Sequence, residues 1–360
     1  MNTIKSYFKD NLKKTTKIKR WILRVLSIII LLSVLIFIQM YKAILSPNVA
    51  ISNNDVFSLY INSNNDFEAV KNDLYSKGII INKKSFEWLA KKLDYPKYIK
   101  SGHYLILDGM NNNRLINLLR SGNQTPVDFT FNNIRTIEQF AVKTDEQLEL
   151  DSLSLMNELK RNESLKEMGF DYNNYAALFI PNTYELYWNI SAEDFVEKMI
   201  NEYKRFWNES RLEKAEKIDL SPIEVSILAS IIDKETTKTS EMPRIAGVYL
   251  NRLKRNWLLQ ADPTLVFALG DYDIKRVLDK HKEIESPYNT YKYAGLPPGP
   301  ICIPSIAAID AVLNAENHKY FYFCAKDDLS GYHVFAKNMS EHNRNAEKYR
   351  KALNKKRIYK

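Results

Sequence analysis

Between Ser221 and Lys238, in SPIEVSILASIIDKETTK, apolar residues recur at helical spacing, with Val225, Leu228, Ile231 and Ile232 on one face. Ser221 suits an N-cap, Pro222 the first helical position and Glu224 the carboxylate of a capping box. At about 100° per residue Glu235 falls on that apolar face, one turn beyond Ile231 and Ile232. Asp233 points roughly 200° away from it, toward solvent or a rim. The helices predicted on either side have their own stripes: Phe195, Met199, Tyr203 and Phe206 within a single helix over 190–216, and Ile245, Val248, Tyr249 and Leu253 within 240–255. Aromatics at this spacing read as core rather than as a binding platform.

Earlier in the chain the elements are shorter. Residues 55–130 predict a small α+β module: helices over 66–78, 85–93 and 112–119, the first and last closed by Gly78 and Gly122, and strands at GIII and HYLIL; in the stretch 124–174 that overlaps its end, VDFTF reads as a strand. Thr136–Val142 and the acidic stretch 145–169 read as helix. From Leu258 to Ser305 the texture changes to loops rich in polar and aromatic residues, stiffened by PPGP, and such loops collect binding groups. Helix returns over 306–314 and 341–353, and KYFYFCA and YHVFA form a strand pair about the turn DDLSG. The fold class is α+β, with a larger mixed α/β portion over 131–360.

The longest apolar run is VLSIIILLSVLIFIQM, which with Trp21–Leu23 approaches the ~20 residues that cross a bilayer. Residues 1–24 carry Lys5, Lys9, Lys13, Lys14, Lys17, Lys19, Arg20 and Arg24 against Asp10, a net of +7 out of +9 for the 360-residue chain. The basicity therefore belongs to the flank of the apolar run, and it excludes a nucleic-acid module in the remainder. A basic flank stays in the cytoplasm, which predicts a cytoplasmic tail (1–24), a single transmembrane helix (25–44), a linker (45–54) and an extracytoplasmic remainder. A cleaved signal peptide is the alternative, disfavoured by the length of the run and the lack of a small-x-small site.

Hydrophobic and charged contents of 45% and 26% are ordinary for a globular protein. Cys302 and Cys324 both lie in apolar runs and read as buried free thiols. His103, His281, His318, His333 and His342 show no ligand spacing, and HExxH, CxxC, the P-loop and GxSxG are absent, so neither metal nor nucleotide chemistry is expected. What remains is Glu235. A carboxyl on a buried face near a helix C-terminus is kept protonated by desolvation and by the helix dipole, as a general acid requires. The alternative is an amphipathic helix whose last turn carries solvated charge.

Seven segments settle the family: FIPNTY (179–184), LASIIDKET (228–236), VYLNRL (248–253), LQADPTLVFALG (259–270), SPYNTY (286–291), GLPPGPI (295–301) and YFYFCA with GYHVFAKNMSEHN. In this order they resemble the endolytic murein transglycosylases, the MltG/YceG-like family, from about residue 55 to the end. IKSGHYLIL and the helix after it resemble that family's LysM-like subdomain, which assigns 55–130 to it and 131–360 to the catalytic domain. The resemblance implies a cofactor-free lyase that cuts peptidoglycan glycan strands internally, between N-acetylmuramic acid and N-acetylglucosamine. The muramic acid 6-hydroxyl closes on its own anomeric carbon and leaves a 1,6-anhydro end. It implies Glu235 as the catalytic residue, with Asp233 at a position where the family more often has Glu. Candidate substrate contacts are Tyr184, Gln260, Asp262, Thr264, Tyr288, Asn289, Thr290 and Tyr291, each alternatively a pin for its loop, and Asn251 and Arg252 are expected to brace those loops. The implied partners are glycan strands, the cytoplasmic membrane, and wall-synthesis and division proteins. A non-catalytic wall-binding scaffold, or a hydrolase pairing Glu235 with Asp262, are the competing readings. The chain departs from the family at Asn182, at Ser305 and in VDFTFNNIRT, which lacks the usual Pro-Glu-Gly.

Overall fold

A computed structural model describes residues 2–51, 56–274 and 276–356, without the side chains of 2–16. Its first helix, α1 (Asn2–Leu45), continues without a break through the apolar run. From Lys17 to Leu45 it is apolar enough to cross a membrane, and Trp21, Ile30 and Phe37 lie exposed along it. At 1.5 Å per residue those 29 residues extend about 43 Å, beyond the ~30 Å of a hydrocarbon core.

Two compact units follow from the contacts, Met1–Pro126 and Val127–Lys360. In the first, β1 (Val56–Ile61), α2 (Phe67–Ser76), α3 (Lys83–Lys92), β2 (Gly102–Leu107) and α4 (Asn112–Ser121) enclose a core of Leu59, Phe86, Tyr104 and Leu115. β1 and β2 pair antiparallel, Val56 opposite Leu107 and Ile61 opposite Gly102. Asp66, Asn82 and Asn111 cap the three helices through their side chains, and Gly122 ends α4 in the left-handed region. GIII forms only an isolated bridge between Ile80 and Val49, not a strand. The expected linker is also corrected over its described part, since 52–54 lie outside the described residues. The backbone N–H groups of Asn48 and Val49 both donate to the Met110 carbonyl, and the buried Asn48 amide bonds Asn82 and Asn112.

The second unit begins earlier than expected. β3 (Val127–Thr130) pairs antiparallel with β4 (Thr183–Leu186), so VDFT belongs with the larger body and not with the small module. Between them lie α5 (Ile137–Gln147), α6 (Ser152–Arg161) and the short α7 (Glu163–Glu167). The single helix expected over 190–216 is two, α8 (Ala192–Phe206) and α9 (Glu209–Lys217), because Asn208 accepts from the Arg211 N–H and starts a new helix.

Next come α10 (Pro222–Glu235) and α11 (Met242–Leu253). The capping box is formed as the sequence predicts: Ser221 accepts from Glu224 N–H while Glu224 accepts from Ser221 N–H. LQADPTLVFALG, expected as loop, contains α12 (Asp262–Leu269), with Pro263 in its first turn and Gly270 at φ +67° closing it. α13 (Ile306–Leu313), the hairpin β5 (Tyr322–Ala325) and β6 (His333–Ala336), and α14 (Met339–Lys355) complete the unit. Its strands form separate two-stranded pairs, so the class is α+β with small sheets and the mixed α/β core expected for 131–360 is not formed. Cys302 is buried and Cys324 half-buried, and both are free thiols.

α10 is the centre of this body. Every residue from Val225 to Ile232 is buried, against α11, α12 and α13, so the helix has no solvent face over that span. The hydroxyls of Ser226 and Ser230 are satisfied by the carbonyls of Pro222 and Ile227, and Ser230 Oγ also accepts from Ile301 N–H. Asp233 consequently does not face solvent. It takes the hydroxyl hydrogen of Ser305, the N-cap of α13, and lies 3.5 Å from Lys234 Nζ.

Candidate active site

Burial of α10 delivers its last residue, Glu235, to the floor of a cleft of about 380 Å³. Asp262, the first residue of α12, lines the same cleft, with Phe267 and Tyr272 as apolar wall and Arg135 and Lys234 at the side. Tyr249 on α11 lies beneath, and its hydroxyl donates to Glu235 Oε1 at 2.6 Å. One carboxyl oxygen is thus committed to the protein and the other is left to carry a proton toward the cleft. Burial pushes the Glu235 carboxyl up to about 7, and the charge of Asp262 acts in the same direction. The Tyr249 hydrogen bond and the guanidinium of Arg252 oppose this. An acid so placed is about half protonated near neutral pH, the condition for donating to a leaving oxygen and then accepting from an attacking one.

The supporting contacts are backbone carbonyls. Arg252 is buried with no carboxylate partner within 4 Å among the described residues, and its guanidinium donates to the carbonyls of Phe321 and Leu259. Desolvation lowers its pKa from the ordinary arginine value. Asn251 donates from Nδ2 to the carbonyls of His318 and Tyr320, 2.9 Å each, so α11 ties both sides of the site to the segment entering β5.

The remaining sequence candidates divide by burial. Tyr291 donates its hydroxyl to Asp262, and Gln260 is exposed beside it with its backbone at φ +48° and its N–H on the Thr290 carbonyl. Tyr288 packs its ring 4.7 Å from Phe267 and lines a neighbouring hollow of about 190 Å³. Four candidates are placed otherwise than as substrate contacts, because each is buried with its polar atoms already bonded. Thr264 and Thr290 bond one another, and Thr290 also accepts from Ala261 N–H. The Asn289 amide donates to the carbonyls of Lys282 and Ile284 and accepts from Tyr291 N–H. The Tyr184 hydroxyl donates to the Ile180 carbonyl, with its ring stacked on Phe131. Thr264, Asn289 and Thr290 pin the loops that present Asp262 and Tyr291, and Tyr184 belongs to the core beneath β4.

Sequence reasoning placed Tyr249 inward but gave it no role. The available signal was that a buried phenol needs a hydrogen-bond partner, and Glu235 ends the neighbouring helix. Arg135, Phe267 and Tyr272 gave no signal, since only the fold brings them to the cleft. A larger hollow of about 670 Å³ lies at the opposite end of α10, rimmed by Glu209, Glu213, Glu216 and Glu224, away from Glu235 and Asp262.

A family profile for the YceG-like family matches residues 59–348. The chain is 30% identical over 331 residues to the endolytic murein transglycosylase of Bacillus subtilis strain 168, covering 88% of this chain and 90% of that one. It is 27% identical over 307 residues to the endolytic murein transglycosylase of Streptococcus pneumoniae strain D39, where 77% of this chain spans 55% of the longer relative. The crystal structure of a YceG-like protein from Listeria monocytogenes superposes with a TM-score of 0.53 at 26% identity, over 81% of this chain and 98% of that one. With the family profile matching most of its length, the chain is a member of the YceG-like family.

Proposed function

We propose that this protein is a membrane-anchored endolytic lytic transglycosylase that cuts the bond between N-acetylmuramic acid and N-acetylglucosamine within peptidoglycan strands. The observation that carries this reading is Glu235 itself: a carboxyl held near neutral pKa by burial, fixed by Tyr249, in a cleft that also contains Asp262. The named relatives are endolytic murein transglycosylases, which supports the substrate class. In the reaction, the Glu235 proton passes to the glycosidic oxygen as its bond to the anomeric carbon breaks. The carboxylate left behind takes the proton of the muramic acid 6-hydroxyl as that oxygen bonds the same carbon. No water is consumed, the anhydro end forms, and Glu235 is again protonated. Asp262, oriented by Tyr291, places negative charge where the anomeric centre becomes positive.

The apolar length of α1 supports single-pass anchoring, and the basic residues before it support an orientation with the N-terminus inside and the cleft facing the wall. The first unit is read as the LysM-like module that the resemblance of IKSGHYLIL implies. Release or termination of nascent strands beside wall-synthesis and division proteins is the cellular role that fits an anchored endolytic enzyme.

The presence of Asp262 in the same cleft favours one second reading, a hydrolase in which it activates water. Digestion of purified peptidoglycan followed by mass spectrometry separates the two. Anhydro-muramic ends, 18 mass units (one water) below the hydrolytic product, are expected. Reducing ends establish the hydrolase, and uncut strands leave a wall-binding scaffold.

A further inference from the structure

We propose, on the reading of the substrate as a peptidoglycan strand, that Arg135 is a specificity residue that binds a carboxylate carried by that strand. Arg135 lies in the FNNIRT segment, and no step of the bond cleavage uses it. Its guanidinium stands in the wall shared by the Glu235 cleft and the neighbouring hollow of about 190 Å³, and Phe267 is the other residue lining both. A group bound there sits beside the cut bond, not on it.

The side chain is half-buried and lies 4.4 Å over the ring of Tyr272. A guanidinium held over a ring face keeps N–H donors at its edge, and such an edge can grip a carboxylate with two parallel hydrogen bonds. That edge is unclaimed: among the described residues no Asp or Glu lies within 4 Å of Arg135. The acids that line the same cleft and hollow accept from tyrosines, Glu138 from the hydroxyl of Tyr172 and Asp262 from that of Tyr291. The other arginines at comparable burial are committed, Arg211 to Asp310 and Arg252 to carbonyls.

The backbone beneath Arg135 is held from three sides. Its N–H donates to Gln139 Oε1, the Ile134 carbonyl accepts from Ile303 N–H, and Lys234 Nζ reaches Asn133 Oδ1. A cation on so well-held a backbone, with a ring beneath it and no carboxylate within 4 Å among the described residues, is free to take an external one. On a peptidoglycan strand the acidic groups are carboxylates, from two sources: the lactyl acid of muramic acid where no peptide is attached, and the stem peptide where one is.

The test uses the full-length chain in detergent, with Glu235→Gln added so that bound strands are not cut. Binding is measured by calorimetry for stem-bearing strands, strands stripped of stems by an amidase, and both sets converted to methyl esters. Loss of a charge-assisted bidentate contact weakens binding roughly ten- to hundredfold. Arg135→Ala is expected to show that loss on acid strands and none on esters, with Arg135→Lys recovering part of it. Loss confined to stripped strands identifies the lactyl acid, and loss confined to stem-bearing strands identifies the peptide. Equal binding of acid and ester strands by the unaltered Arg135 chain overturns the proposal without recourse to any Arg135 variant, as does an Arg135→Ala effect of the same size on both. Because binding is read separately from cleavage, a chain that binds strands and yields no anhydro ends sinks the transglycosylase reading and leaves this one standing.

Discussion

At Glu235 the requirements of function and stability conflict, and the conflict is measurable. A carboxyl whose pKa is 4.5 in the unfolded chain and about 7 in the folded one binds its proton more tightly in the folded state. Its contribution to stability is complete below pH 4.5 and is lost as the pH rises through 7, up to about 3 kcal/mol in all. Gln keeps the acceptor for Tyr249 and carries no charge. Glu235→Gln is therefore expected to abolish turnover and, at pH 8, to raise the melting temperature by several °C over the wild type, with no gain at pH 4. Calorimetric scans at the two pH values check this, and equal melting temperatures at pH 8 would show that the carboxyl is solvated. Activity should fall as the pH rises through about 7, because the acid form is lost. Tyr249→Phe removes a hydrogen bond that favours the carboxylate, so the alkaline limb of the pH–rate profile is expected to move up by about one pH unit. Asp233→Asn should retain most activity, since an amide oxygen can still accept from Ser305.

The loops about the site depend on close backbone approaches as well as on side chains. Gly299 in PPGP is the tightest case: a Cβ there would lie 1.7 Å from the Asn173 carbonyl oxygen and 2.5 Å from its carbon. Neither backbone can yield without moving the turn at 171–174, so Gly299→Ala is expected to cost about 3 kcal/mol, read as a lowered urea midpoint. Gly295 is the comparison, since a Cβ there meets nothing within 4 Å and only its φ of +89° is strained.

This difference shows where the sequence was informative. The start of α10 was legible, because a capping box is local chemistry. Glu235 was legible because its register follows from helical geometry. The neighbours of Asp233 were not. A helix buried on all sides has no solvent face, and periodicity cannot reveal which loop closes over its last turn. Asn289, Thr290, Thr264 and Tyr184 were read as ligand contacts because polar residues in aromatic loops suit both recognition and loop pinning. Only burial distinguishes the two. The helix within LQADPTLVFALG was missed because a short apolar run lacks the three-to-four-residue recurrence of apolar and polar positions that marks an exposed helix.

For the whole molecule the question is where the long apolar helix ends and the rest of the first unit begins. α1 leaves the apolar run with Ile44 packed against the core of Val49, Phe86 and Leu115, and the Ala43 carbonyl accepts from Asn112 Nδ2 at 2.8 Å. Asn112 is buried and also bonds Asn48 and Ser85, so the last turn of α1 completes a polar network inside the first unit. The apolar helix is thus built into the folded unit at its end and is not merely tethered to it. A chain shortened to begin at Gln39 keeps both contacts; one beginning at Ser46 loses them and leaves one donor of a buried amide unsatisfied, a cost of about 1–3 kcal/mol. Both should leave the membrane fraction on centrifugation, but thermal unfolding of the first unit is expected several °C lower for the chain beginning at Ser46. Identical unfolding of the two would show that the helix end contributes nothing to the unit, and α1 would then be a separable leash.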